Sequence, residues 1–102
     1  MTRYDWWGYV KAMIRRYPQM VRKGEAIGNA ERREREAVAK ALRSLEDLPD
    51  GESRSELVRL VFWRQSHTIA GAAMVLHCSE TTASRWHRDF IYSVAREFGL
   101  MD

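Results

Sequence analysis

Cysteine is nearly absent from this sequence: Cys78 stands alone among 102 residues. A single thiol forms no internal disulfide and has no cysteine partner with which to share a structural metal. Proline occurs twice and glycine six times, too rarely for a low-complexity chain. Long apolar runs are missing too. No stretch approaches the roughly 20 apolar residues of a membrane span, and the opening MTRYDWWGYV lacks the apolar core of a secretory signal. The expectation is a cytoplasmic protein with no membrane partner. Reactive constellations are also lacking. His67, His77 and His87 sit ten residues apart, with no carboxylate or cysteine at ligand spacing, so they read as surface groups or phosphate contacts and no metal is expected. Cys78 has no base beside it to activate the thiol and reads as a small filler in a turn. No nucleophile–base pair or glycine-rich phosphate loop occurs. The sequence therefore points away from an enzyme and away from any cofactor.

What the chain does have is apolar material and arginine. Hydrophobic residues make up 45%, enough for a modest core in one domain, or in one compact domain plus an extra helical layer. The net charge is only +3, but it is unevenly placed. Residues 1–24 hold six basic groups against one acid, residues 25–53 five against eight, and residues 54–102 six against five. Sequence-independent affinity for DNA comes from neutralised phosphates. The last segment alone would supply little of it, so the first is a candidate contributor; its other reading is a solvated helix face.

Periodicity then divides the chain into helices. Trp6, Trp7, Val10, Met13, Ile14 and Tyr17 recur at three- and four-residue spacing, which predicts a helix over residues 3–17 that Pro18 ends. At that spacing the tryptophan pair belongs to a core rather than to a base-stacking platform. Residues 18–28 have no clean period and read as a connecting loop, with Met20, Val21 and Ile27 as candidate anchors. Residues 29–47 form a second helix, capped by Asn29, with Ala37, Val38, Ala41, Leu42 and Leu45 inside and the run ERRERE solvated. After the turn Leu48-Pro49-Asp50-Gly51, the stretch Ser53-Arg54-Ser55-Glu56 matches a capping box. It would open a third helix, about 54–65, with Leu57, Leu60, Val61 and Arg64 on its inner side.

The stretch Thr68–Arg88 reads as a helix-turn-helix. Thr68 caps a short helix over 69–76, His77-Cys78-Ser79 breaks it, and Ser79 caps a last helix over 80–98. Ala72 and Ala73 are small enough for two backbones to approach. On a 100° wheel, Ala83, Trp86, Phe90 and Val94 of the last helix share an arc of about 80°. Glu80, Thr81, Ser84, Arg85 and Arg88 share an opposite arc of about 140°. Short polar groups followed by arginines suit a DNA groove. Thr81, Ser84 and Arg85 are the candidates for base edges and Arg88 for phosphate. Glu80 would accept from a cytosine amino group or serve only the helix dipole. Ser79 and Thr82 would donate to phosphate at the helix start. The alternative for this face is an ordinary solvated helix surface.

The order of residues from Leu57 to His87, with LVRLVFW followed by TIAGAAMVLHCSETTASRWH, resembles phage-encoded late transcription regulators of the ArpU/RinA type. The C-terminal half of that family is similar to the helix-turn-helix of sigma-factor region 4. The ending FIYSVAREFGL and the early WWGYVKAMIRRYP also look like this family. The resemblance implies a phage or prophage protein of a bacterial host cell that binds double-stranded DNA sequence-specifically and activates late genes. Carried over by position, its recognition-helix residues are Glu80, Thr81, Ser84, Arg85 and Arg88.

The expected fold is all-α: a small bundle of about five helices. Residues 1–52 would be an N-terminal helical segment and a candidate homodimer surface, and residues 53–102 the helix-turn-helix unit. Two rivals remain. A small terminase subunit would bind phage DNA for packaging. A sigma-like adaptor would contact RNA polymerase without reading DNA.

Overall fold

The computed structural model describes residues 5–101, and among them it contains helices and no strand. Five α-helices follow one another: α1 (Trp7–Lys23), α2 (Asn29–Leu45), α3 (Gly51–Val58), α4 (Ile69–Val75) and α5 (Glu80–Phe98). The small all-α bundle read from the sequence is the fold observed.

The first helix overturns the expectation that Pro18 ends it, because α1 runs on through Pro18 to Lys23. Proline inside a helix removes the N–H that would bond the carbonyl four residues back. Here that carbonyl belongs to Ile14, and the indole Nε1 of Trp63 donates to it at 2.9 Å. Tyr17 stacks on the same indole, with ring centroids 5.8 Å apart. A residue 49 positions away thus completes the hydrogen bonding that proline interrupts. The connecting loop shrinks to Gly24–Gly28. Gly24 turns the chain at φ 58°, ψ −123°, a conformation that side chains with a Cβ rarely adopt. Met20 and Ile27 are buried as anchors, whereas Val21 is half exposed.

Two predicted caps also move. Asn29 is the first residue of α2 rather than its cap; Gly28 holds the capping position, without a side-chain bond. The predicted capping box lies inside α3, which already begins at Gly51. The reason is steric. Gly51 packs against the carbonyl end of α2 so tightly that a Cβ there would stand 1.8 Å from the Leu45 oxygen. That close approach starts α3 two residues ahead of Ser53. The Asp50 carboxylate takes Nε of Arg54 at 3.0 Å and leaves the helix N–H groups uncapped.

Beyond α3 the chain widens into a π-helical turn, Arg59–Trp63, closed by Arg64 N–H donating to the Arg59 carbonyl at 2.8 Å. The extra residue lets neighbouring positions face two ways. Val58 and Phe62 enter the main core with Val10, Met13, Ile14, Val38, Phe90, Ile91 and Val94. Leu57 and Leu60 enter a smaller cluster with Ala72, Ala73, Ala83 and Trp86. Arg64, expected on the inner side, is exposed. The main core joins residues from both sides of position 52, so α5 is shared between the N-terminal helices and the helix-turn-helix.

One buried charge completes the frame. Glu34 on α2 is 5% exposed and accepts from the Tyr9 hydroxyl, with Arg16 Nη2 at 3.4 Å. Desolvation first, then the bond to this carboxylate, push the Tyr9 phenol above its ordinary value.

Candidate functional site

The helix-turn-helix is built from the two caps the sequence predicts. The Thr68 hydroxyl accepts from Gly71 N–H at 3.0 Å and opens α4. The Ser79 hydroxyl accepts from Thr82 N–H at 3.0 Å and opens α5. Between them the chain turns through a left-handed residue. His77 N–H donates to the Met74 carbonyl and Cys78 N–H to the Ala73 carbonyl, the paired bonds of a Schellman ending. The residue at the turn is His77, at φ 58°, where glycine would be the unstrained choice. Cys78 is half-buried against the smaller cluster. Ala72, Ala73 and Ala83 are at most 2% exposed; these short side chains bring α4 and α5 together.

Arg54 fixes the back of α5. Its guanidinium lies 5.6 Å from the Trp86 ring and 4.0 Å from Asp89, while it also holds Asp50, the residue just before its own helix. Among the histidines, His87 is no plain surface group. Its ring stacks on Phe62 at 4.9 Å with the planes 3° apart, which locks the side of α5 to the π-helical turn. His77 is exposed and His67 half-buried, its Nδ1 2.8 Å from the Ser66 hydroxyl.

The opposite face of α5 carries the residues singled out from the sequence. Glu80, Thr81, Ser84, Arg85 and Arg88 line one shallow concavity. Thr81, Arg85 and Arg88 are exposed and Ser84 half-buried. Arg85 and Arg88 make no ion pair among the described residues, whereas Arg16, Arg32, Arg35, Arg54 and Arg59 each have a carboxylate partner. Ser79 and Thr82 stand apart from the concavity. Ser79 is spent on the cap, and its hydroxyl donates to Thr82 Oγ1 at 2.9 Å, which leaves Thr82 the freer donor of the two.

One property of this face was missed in the sequence. The arc that carries Ser84 and Arg88 continues into Ile91, Tyr92 and Ala95, yet Ile91 and Ala95 are fully buried. Helix α1 covers them. Trp6 and Trp7 meet the Tyr92 ring edge-on at 6.2 and 5.6 Å. The open face is therefore confined to Glu80–Arg88. The signal was present in the sequence: apolar residues encircle α5 from Phe90 to Ala95.

Chemically, the open face offers two cations, two small hydroxyls and one carboxylate at a helix start. It is equipped to bind anions and hydrogen-bonding edges. Among the described residues no group of three histidine, cysteine or acidic side chains could hold a metal ion, and no helix is long and apolar enough to cross a membrane. The chain matches no protein-family model, no curated protein and no solved structure.

Proposed function

We propose that this protein is a sequence-specific DNA-binding transcriptional regulator, with α5 as the helix that enters the major groove. The observation that carries the reading is the Glu80–Arg88 face: five polar residues in one concavity, with both arginines outside any ion pair among the described residues, on a helix held from behind by Ala83, Trp86 and Arg54. In this reading Thr81, Ser84 and Arg85, nearest the helix start, meet base edges. Arginine reaches the two acceptors of guanine in bidentate fashion, and Arg88 takes a phosphate oxygen. Thr82 donates to phosphate beside the cap. The resemblance to ArpU/RinA-type regulators supports a phage or prophage origin and action on late genes in the host cytoplasm. A second copy would place a second α5 about 34 Å along the duplex.

Selection of bound sequences from a random duplex pool, at stated salt, tests the reading. The expected result is an enriched motif, with Arg85→Ala relaxing preference at one position by about 1–3 kcal/mol. Failure of the wild-type protein to retain any duplex at 50 mM salt or so, where phosphate contacts are strong, would overturn it. The sigma-like adaptor reading has one observation in its favour: Met74 and Val75 on α4 are 79% and 49% exposed, an apolar pair beside the turn. Under that reading Arg85→Ala leaves DNA retention unchanged, while Met74→Ser weakens capture of RNA polymerase.

A further inference from the structure

We infer that α1 and the end of the π-helical turn form a second phosphate-binding surface, a basic ledge beside the α5 face, with Arg15, Arg22 and Arg64 as its anchors. This rests on the DNA-binding proposal and adds to it the element that flanks the groove.

Helix α1 divides its cations between two faces. At 100° per residue, Arg16 and Lys23 lie within about 20° of each other. Both turn toward α2, where Arg16 pairs with Glu34 at 3.4 Å and Lys23 with Glu31 at 3.8 Å. Arg15 and Arg22 form a separate stripe about 20° wide, roughly 100° away. Both are exposed and make no ion pair among the described residues. Asp5 is the lone acid of residues 5–23, so this stripe meets no compensating charge from its own helix.

The packing then says what the stripe borders. Trp6 and Trp7 lie against Tyr92, on the line of α5 that carries Arg88 and Ser84 about one and two turns earlier. Further along, Ile14 and Tyr17 sit on Trp63. The turn that holds Trp63 is locked to α5 through Phe62 and His87. Helix α1 thus runs from the covered half of the α5 face to the π-helical turn. Arg15 directly follows Ile14, and Arg64 directly follows Trp63 and is exposed. On the DNA-binding proposal, a duplex seated on Glu80–Arg88 would extend alongside α1. From Arg15 to Arg22 the stripe spans about 10 Å, long enough for more than one phosphate. The partner is the sugar–phosphate backbone and not an apolar protein surface: Arg15, Arg22 and Arg64 present long cationic side chains with no carboxylate within ion-pair distance among the described residues, while the Glu56 carboxylate, bound by Arg59, also feels the charge of Arg64.

The test uses the full chain with Arg15→Ala/Arg64→Ala, and Lys40→Ala as a charge control, since Lys40 is already paired with Glu36 at 3.4 Å. Circular dichroism and the thermal midpoint establish that each variant folds. Binding to the selected motif and to a scrambled duplex is measured across salt concentrations. The expected result is a slope of log affinity against log salt that falls by roughly 0.9 for each phosphate no longer neutralised, about 1.8 for the double variant. Both duplexes weaken by the same factor, and Lys40→Ala has no effect. An unchanged slope with intact wild-type binding overturns the ledge and leaves the α5 proposal standing. A changed motif overturns it too, because phosphate contacts carry no sequence information. Wild-type protein that shows no salt-dependent binding removes both proposals together.

Discussion

His77 is the residue on which the helix-turn-helix bends. It occupies a left-handed conformation at φ 58°, and for a residue with a Cβ that costs roughly 1–2 kcal/mol. Among the described residues nothing bonds to the imidazole, which is exposed. Replacing His77 with glycine should therefore raise stability by about 0.5–1 kcal/mol, since glycine takes this conformation freely but loses more freedom on folding. Chemical denaturation with two-state fitting measures it; a loss of stability would show that the histidine side chain holds the turn. This detail was legible in the sequence only as a break. The wheel placed Ala83, Trp86 and Phe90 inside and Arg85 and Arg88 outside because polarity marks those faces. No polarity marks a positive φ at a histidine. The same limit applies to Gly51: its glycine was read as turn chemistry, whereas its place is set by the Leu45 carbonyl it nearly touches.

At the scale of elements, α1 shows where local rules give way. Pro18 ends a helix whenever the carbonyl it orphans has no other partner, and its partner here lies 49 residues downstream. The resulting bond makes a specific prediction. Trp63→Phe keeps most of the ring packing but leaves the Ile14 carbonyl unpaired, at a cost of about 1–3 kcal/mol. In a Pro18→Ala background the alanine N–H can bond that carbonyl, so the same Trp63→Phe change should cost distinctly less. A double-mutant cycle reads the coupling directly; strictly additive effects would contradict the role assigned to the indole. Helix α2 was plain from apolar spacing alone, and α4 and α5 from spacing together with their caps. Helix α1 was shortened and α3 displaced because their ends depend on tertiary partners. The π-helical turn was invisible for a similar reason: Leu57 and Leu60 serve one cluster while Val58 and Phe62 serve another, and no single helical period describes both.

For the molecule as a whole, the main core decides how it unfolds. Val10, Met13 and Ile14 of α1 share that core with Val58, Phe62, Phe90 and Ile91. Removing α1 and α2 would expose Ile91, Ala95 and much of Phe90. A fragment of residues 53–102 is expected to lose its cooperative transition, although it contains every residue of the Glu80–Arg88 face. Helical circular dichroism of that fragment against the full chain checks this; a cooperative melt close to that of the full chain would show the C-terminal helices to be self-sufficient. The charge pattern belongs to the same scale. Cations of α1 that face α2 are matched by Glu31 and Glu34, whereas Arg15 and Arg22 have no such match among the described residues, so the modest net charge of +3 conceals a one-sided distribution.

The way α1 covers the far half of the α5 face carries one last consequence, for information. Nine residues of open helix, Glu80 to Arg88, are about 13 Å long. At 3.4 Å per base step that is roughly four base pairs. A four-pair word recurs by chance every few hundred positions, so on the DNA-binding proposal one copy of this chain would find far more matches than targets in a bacterial genome, where competing sites number about a million or more. Recognition of a unique promoter would then be a joint property, with this chain supplying one short word and a second copy or the polymerase supplying the rest of the phrase.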